Sequence, residues 1–264
     1  MLICSTDAKN EAFISVLFYL LYFKKIKQTM KKQFIQTSLM FAAMLGISAN
    51  LCAENLSAAD IADIQRQKAT SKYQAYLPAK YTVFEVVQGD LNKDGLKDVV
   101  LIVKGTDPKQ WVTDEYRGKL DRNRRGVIVL LNTKGHYQKV VQNLSLFSSE
   151  NEDGGVYFAP ELVPSIEKGL LKLHYAHGRY GYWAYQFRLE GRDMRLIGYD
   201  SSDNFGPYVN SETSVNFLTA KKLVRENLNK DSDSDPKFKE TWSKVNVAPM
   251  YLSKIQDIED LSLE

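Results

Sequence analysis

The clearest pattern in the chain is an alternation. Tyr182-Trp183-Ala184-Tyr185-Gln186-Phe187-Arg188-Leu189 puts Trp183, Tyr185, Phe187 and Leu189 on one side and Tyr182, Ala184, Gln186 and Arg188 on the other. A period of two marks a half-buried strand whose apolar face belongs to the core. Gly191-Arg192-Asp193 then joins it to Met194-Arg195-Leu196-Ile197-Gly198-Tyr199, as expected of a hairpin. Other short runs of β-branched and aromatic residues, set off by Gly, Asn and Asp, fall at 82–87, 98–103, 126–131, 137–142 and 170–175. Two more strands are expected at 216–226 and 237–245, divided by an Asp- and Ser-rich turn at 229–236. The spacing predicts antiparallel sheet. One helix is expected before it, over 58–73. Ser57-Ala58-Ala59-Asp60 has the form of a capping box, Ile61, Ile64 and Ala69 give a partial apolar stripe, and Pro78 lies beyond the end. The acidic tail at 255–263, with Ile255, Ile258 and Leu261, is expected to pack as a short helix or to fray. The fold class is therefore mainly β: an antiparallel, sandwich-like domain with an N-terminal helix.

The segment upstream of that helix has a different character. Met30-Lys31-Lys32 is basic, residues 34–51 are uncharged and largely apolar, and Cys52-Ala53-Glu54 follows. That is the three-part layout of a secretory signal peptide, with cleavage expected after Ala53. Retention as a membrane anchor is the weaker alternative, because the 18 residues of 34–51 fall short of the roughly 20 that a span needs. Lipid attachment at Cys52 is disfavoured by the bulky Asn50-Leu51 before it, where small residues are preferred. A second apolar run at 12–23, followed by Lys24, Lys25 and Lys27, is explained most simply if translation starts at Met30. The competing explanation is a further membrane-associated segment. The expected division is thus 1–29 as an upstream stretch, 30–53 as signal peptide and 54–264 as one exported, periplasmic domain, touching a membrane only through its signal.

Both cysteines, Cys4 and Cys52, lie in the part to be removed. The mature chain then has no thiol, which excludes a disulfide framework, a cysteine-bound zinc and a cysteine nucleophile. Residues 1–53 also hold six of the 35 Lys and Arg and two of the 32 Asp and Glu, leaving 29 against 30. A near-neutral domain of this kind offers no concentrated basic face for nucleic acid.

One motif points to specific chemistry. Gly89-Asp90-Leu91-Asn92-Lys93-Asp94-Gly95-Leu96-Lys97-Asp98 sets oxygen side chains at loop positions 1, 3, 5 and 9, with glycine at position 6. Ca²⁺ takes about six to eight hard oxygen ligands, so alternate residues of a tight loop must point inward while a glycine makes the sharp turn. Asp90, Asn92, Asp94 and Asp98 would supply side chains and Leu96 its carbonyl. The plain alternative is a set of Asx turns without metal. Position 12 is Leu101, inside the apolar run Val99-Val100-Leu101-Ile102-Val103, so the loop joins two strands and not two helices. On these residues it resembles the calcium loop of FG-GAP repeats, the blades of integrin-type propellers. A propeller repeats this unit, whereas the chain has one copy, so a whole propeller is not implied. The calcium would neutralise clustered carboxylates and fix the hairpin, a structural role.

Beyond the loop, the order of features resembles a group of uncharacterised envelope proteins of Gram-negative bacteria that have one such loop near the start. The matching residues are Gly154-Gly155-Val156-Tyr157, Gly169-Leu170-Leu171-Lys172-Leu173-His174-Tyr175, Tyr182-Trp183-Ala184-Tyr185-Gln186-Phe187-Arg188 and Arg195-Leu196-Ile197-Gly198-Tyr199. The resemblance spans most of 80–230 and implies a periplasmic location and a mainly β fold, without an activity.

Catalytic signatures are missing: there is no Gly-x-Ser-x-Gly elbow, P-loop or dinucleotide fingerprint. His174 and His177 share a His-x-x-His spacing, but on a strand they point to opposite faces, and His174 is expected beside the aromatic core. Glu150, Glu152 and Asp153 could serve a glycosidase, although a solvated turn beside Gly154-Gly155 is the ordinary outcome. Arg179, Tyr180, Tyr182 and Trp183, set among Gly178 and Gly181, form a candidate surface for stacking on a sugar or gripping a peptide. The basic stretch Arg117, Lys119, Arg122, Arg124 and Arg125 could add an anionic contact, but Glu115 and Asp121 interrupt it and a solvated loop is expected. The expected function is a non-catalytic binding or envelope-associated module whose partner is an envelope protein or a glycan. The competing class is an envelope enzyme acting on a glycan or peptidoglycan. A cleft joining Glu150, Glu152 or Asp153 to Tyr180–Trp183 would favour the enzyme.

Overall fold

A strand that is apolar at every position must be covered on both sides. Residues 99–103 are such a run, and in the computed structural model, which describes residues 56–152, 161–229 and 235–261, they form the middle of β2 (Asp98–Gly105), buried from Asp98 through Lys104. It is flanked by β1 (Tyr81–Gly89) and β5 (Arg125–Thr133), and β5 in turn by β6 (His136–Phe147), all antiparallel in the order β1-β2-β5-β6. Alternate side chains of β2 then go to opposite layers. Val99, Leu101 and Val103 join Val83, Ile128, Leu130 and Tyr73 on one side, beneath the helix α1 (Ala58–Tyr73). Val100 and Ile102 join Val127 and Val129 on the other.

That second face meets a seven-stranded sheet. Its strands run in chain order as a meander: β7 (Glu161–Glu167), β8 (Leu170–Ala176), β9 (Gly181–Glu190), β10 (Asp193–Phe205), β11 (Tyr208–Asn216), β12 (Lys221–Asn227) and β13 (Phe238–Lys244). Leu171, Leu173, Tyr175, Tyr185, Phe187, Met194 and Leu196 fill the space between the sheets. Each buried side chain of this size contributes about 1.5–3 kcal/mol over leaving it in water. The face assigned to Trp183, Tyr185, Phe187 and Leu189 by alternation is the core-facing one. A small hairpin, β3 (Trp111–Asp114) with β4 (Gly118–Asp121), sits between β2 and β5 in sequence.

Asp63–Glu264 forms one compact unit that contains both sheets, and its boundary with the preceding unit falls inside α1. At the start of α1, the Asp60 N–H donates to Ser57 Oγ (3.1 Å) and the Ser57 N–H donates to Asp60 Oδ2 (3.0 Å), the reciprocal pattern of a capping box. The expected stripe is only half right: Ile61 and Ile64 are exposed, and the helix is anchored by Ala69 and Tyr73 at its C-terminal end.

Several expectations need correction. Residues 216–226 are not one strand; β11 ends at Asn216 and β12 starts at Lys221, with a turn between. β3, β4, β7 and most of β11 were not expected. β7 contains Pro164, which a strand tolerates on a sheet edge, where β7 lies. β11 is mostly Ser, Thr, Asn and Glu because it extends past the inter-sheet core. The described C-terminal residues neither form an α-helix nor fray. A short 3₁₀ turn at Leu252–Lys254 is followed by an irregular strap of bends and turns that buries Ile255 and Ile258. Asn143 Nδ2 holds the strap by donating to the Leu252 and Ile255 carbonyls (2.7 and 2.6 Å), and the Tyr185 hydroxyl donates to the Ile258 carbonyl (2.8 Å). The expected upstream stretch, signal peptide and Cys52 lie outside the described residues, as do Asp153, Gly154-Gly155-Val156-Tyr157 and part of the 229–236 turn.

Candidate metal loop and neighbouring surfaces

Gly89 and Asp98 pair across the β1–β2 ladder, so the acidic loop closes a hairpin. Asp90 Oδ1 accepts the Asp94 N–H (3.1 Å) and Oδ2 accepts the Gly95 N–H (2.9 Å). Asn92 Oδ1 accepts that same Asp94 N–H (3.1 Å), and Asp94 Oδ1 accepts the Leu96 N–H (2.8 Å). Two side chains sharing one donor must converge, and Asn92 Nδ2 ties the third in by donating to Asp94 Oδ2 (2.9 Å). Gly95, at φ 86°, supplies the left-handed step the coil needs, and Lys93 takes another at φ 63°. Lys93 lies across Gly169 in the β7–β8 turn, where an added Cβ would stand 2.6 Å from Lys93 Cε.

Asp98 behaves differently. It is fully buried, with Oδ2 accepting the Leu91 N–H (2.8 Å) and Oδ1 the Asn132 N–H (2.8 Å). Asn132 Nδ2 returns a bond to the Lys97 carbonyl (3.2 Å), so Asp98 and Asn132 lock the loop to the end of β5. Chemically, two carboxylates and an amide turned onto one stretch of backbone form a hard-oxygen donor set. Each oxygen that accepts one N–H keeps a second lone pair. Asn92 and Asp94 are exposed and Asp90 half-buried, which leaves those lone pairs within reach of a cation. Among the described residues no group of three or more His, Cys, Asp and Glu side chains is poised to hold a metal ion. Any ion in the loop would therefore depend on the Asn92 amide and the Leu96 carbonyl as well as on the acids.

The aromatic candidates are split by the pleat of β9. Tyr182 is on the outer face, stacked on His174 at 5.0 Å between ring centroids. Trp183 is on the inner side, stacked on Tyr175 at 5.3 Å and edge-on to His177 at 6.1 Å. Tyr180 joins that inner group through His177 (5.2 Å), with the Arg179 guanidinium 5.4 Å from its ring. His174 is consequently on the outer face, not beside the core. Burial raises the Tyr182 and Tyr175 hydroxyls above their ordinary range, so both stay protonated.

The basic stretch and the acidic turn expected as solvent-facing loops meet through Arg122 and Glu152, and their other described charges find partners elsewhere. Arg122 pairs with Glu152 (2.7 Å), Arg124 with Asp257 (2.6 Å), and Lys104 with both Asp121 (2.8 Å) and Glu150. Arg125 is buried at the end of β5, where its Nε donates to the Ser148 carbonyl (3.1 Å). Lys104 borders a cavity of about 310 Å³ lined also by Arg66, Phe84, Trp111, Asp121 and Asn123. Phe84 is ringed by cations, with Arg66, Arg125 and Lys104 at 4.2, 5.4 and 5.8 Å from its centroid. Trp111 stands 45% exposed at the rim, with Lys119 over it at 4.9 Å. Burial pushes the Asp121 carboxyl up, but the hydrogen bonds from Lys104 and Asn123 prevail and hold it below its ordinary value. Glu152 is likewise lowered overall: burial opposes, and bonds from Ser149 and Arg122 prevail. Neither this cavity nor a larger one of about 450 Å³ along the C-terminal strap is lined by Arg179, Tyr180, Tyr182 or Trp183. The one sequence signal for the cleft was a lysine closing an otherwise apolar strand.

No helix among the described residues is long and apolar enough to cross a membrane. Comparison with protein families, characterised proteins and solved structures finds no match to the chain.

Proposed function

We propose that this chain is an exported, periplasmic protein that binds a partner in the cell envelope without transforming it, and that one calcium ion fixes its β1–β2 turn. The calcium part of this reading is carried by the convergence of Asp90, Asn92 and Asp94 on the amides of residues 94–96 in a hairpin loop, and export by the signal-peptide layout of residues 30–53. With the Leu96 carbonyl they would hold the ion, while Asp98 secures the loop from beneath. Bound calcium would neutralise the clustered charge and hold the turn against β7 and β8. Against burial, hydrogen bonds from Lys104 and Asn123 hold Asp121 below its ordinary value, and bonds from Ser149 and Arg122 do the same for Glu152, so neither suits the general-acid role that the glycosidase alternative needs at neutral pH. An exposed Trp111 beside Asn123, Asp121 and Lys104 suits a sugar ring or a peptide, consistent with a glycan or an envelope protein as partner.

The test is fractionation of a Gram-negative host expressing the full chain. The expected outcome is a product in the periplasmic fraction whose N-terminal residue is Glu54. A cytoplasmic product that keeps its upstream sequence would contradict the reading.

A further inference from the structure

Strand β13 is the outer edge of the seven-stranded sheet, and no strand among the described residues pairs with its far side. Its residues from Lys239 to Lys244 are all exposed, and Trp242 is 62% exposed, which is unusual for an indole on a strand. The direction of its backbone groups follows from two hydrogen bonds to the neighbouring strand. The Leu228 N–H donates to the Lys237 carbonyl (2.8 Å), and the Val245 N–H donates to the Ala220 carbonyl (3.1 Å). Odd-numbered residues of β13 therefore turn their N–H and C=O toward β12. The groups of Phe238, Glu240, Trp242 and Lys244 point outward as an open ladder.

We propose that this edge pairs with the same edge of a second copy, antiparallel about a two-fold axis at Trp242, to make one continuous sheet across a dimer. Charge selects both the partner and the register. Unpaired edges are commonly guarded by charges that repel another strand. Here Glu240, which also meets Arg225 of β12 at 3.5 Å while staying exposed, and Lys244 have opposite signs and flank Trp242 symmetrically, two residues away on either side. All three lie on one face of the strand. A two-fold at Trp242 sets Glu240 of each copy opposite Lys244 of the other and brings the two indoles together, with only outward-facing ladder groups bonded. Moving the axis to Thr241 puts Glu240 opposite Trp242, and moving it to Glu240 puts two carboxylates face to face. Opposite charges and aromatic pairs across strands stabilise a pairing, whereas like charges destabilise it. An interface in which each residue meets its own symmetry mate is the isologous kind that closes as a dimer. Leu223, opposite Trp242 on β12, continues the apolar patch on the same face.

The proposal is independent of calcium and of export. It is tested by sedimentation of the purified protein, expressed from its full sequence, over a roughly hundredfold range of concentration. The expected result is a concentration-dependent species of twice the mass of one chain. Glu240→Lys and Lys244→Glu should each weaken it at least about tenfold by opposing like charges, and the double exchange Glu240→Lys/Lys244→Glu should restore it. Trp242→Pro removes an outward N–H but none that β12 uses, so it should abolish the dimer while far-UV circular dichroism stays unchanged. A monomer at every concentration overturns the proposal. So does a dimer that survives the single charge reversals, or one that the double exchange does not restore.

Discussion

Asp98 and Lys104 stand at the two ends of β2, and each is a polar residue buried by the strand it terminates. By its spacing Asp98 reads as a candidate loop ligand. Its position in the structure gives it a second task, capping the Leu91 and Asn132 amides, and no local pattern could announce the Asn132 partner 34 residues away. Lys104 lies one residue beyond the strand expected at 98–103, and nothing local marks it, because its partners Asp121 and Glu150 arrive from separate turns. Their pairing has a pH signature. A carboxyl held below its ordinary value of 3.8, as Asp121 is, contributes stability above that value and loses it as pH falls through the lower, folded value. Stability should therefore decline on acidification below about pH 4. Asp121→Asn should be less stable than the parent at neutral pH and show a shallower acid decline, as measured by urea unfolding at a series of pH values.

At the scale of elements, the strands with strong apolar content were legible and the polar ones were not. β2, β5, β8 and β9 face a core on at least one side, so their periodicity was enforced by burial. β11 is mostly Ser, Thr, Asn and Glu, and β3 is only four residues long, so neither shows a period-two alternation, although Trp111, Val112 and Thr113 are strand-favouring residues. The helix was legible through its cap, yet its buried contact was misplaced. The stripe Ile61 and Ile64 suggested an amphipathic face, whereas Tyr73 does the anchoring, edge-on to Tyr137 at 6.0 Å and almost fully buried. Tyr73→Ala should cost about 3–5 kcal/mol in urea unfolding, the range for emptying a buried aromatic site. Ile64→Ala, at an exposed position, should cost about 0.5 kcal/mol or less.

For the molecule as a whole, the two sheets and the C-terminal strap enclose one core, and the acidic loop sits at a margin of it with Leu91 reaching in. The sandwich-like arrangement was legible from alternation and turn spacing. The strap was not, because Ile255 and Ile258 are spaced as a helix would space them, whereas their carbonyls instead accept hydrogen bonds from Asn143 Nδ2 and the Tyr185 hydroxyl. The loop is therefore in a position to affect the stability of the whole, since a ligand bound only by the native state must raise its unfolding temperature. Thermal unfolding with calcium, with chelator, and with Asp94→Ala tests this most directly. The account predicts a higher unfolding temperature in calcium than in chelator for the parent protein, and no such difference for Asp94→Ala. Equal unfolding temperatures of the parent in calcium and in chelator would contradict it and leave the loop as a set of hydrogen-bonded turns.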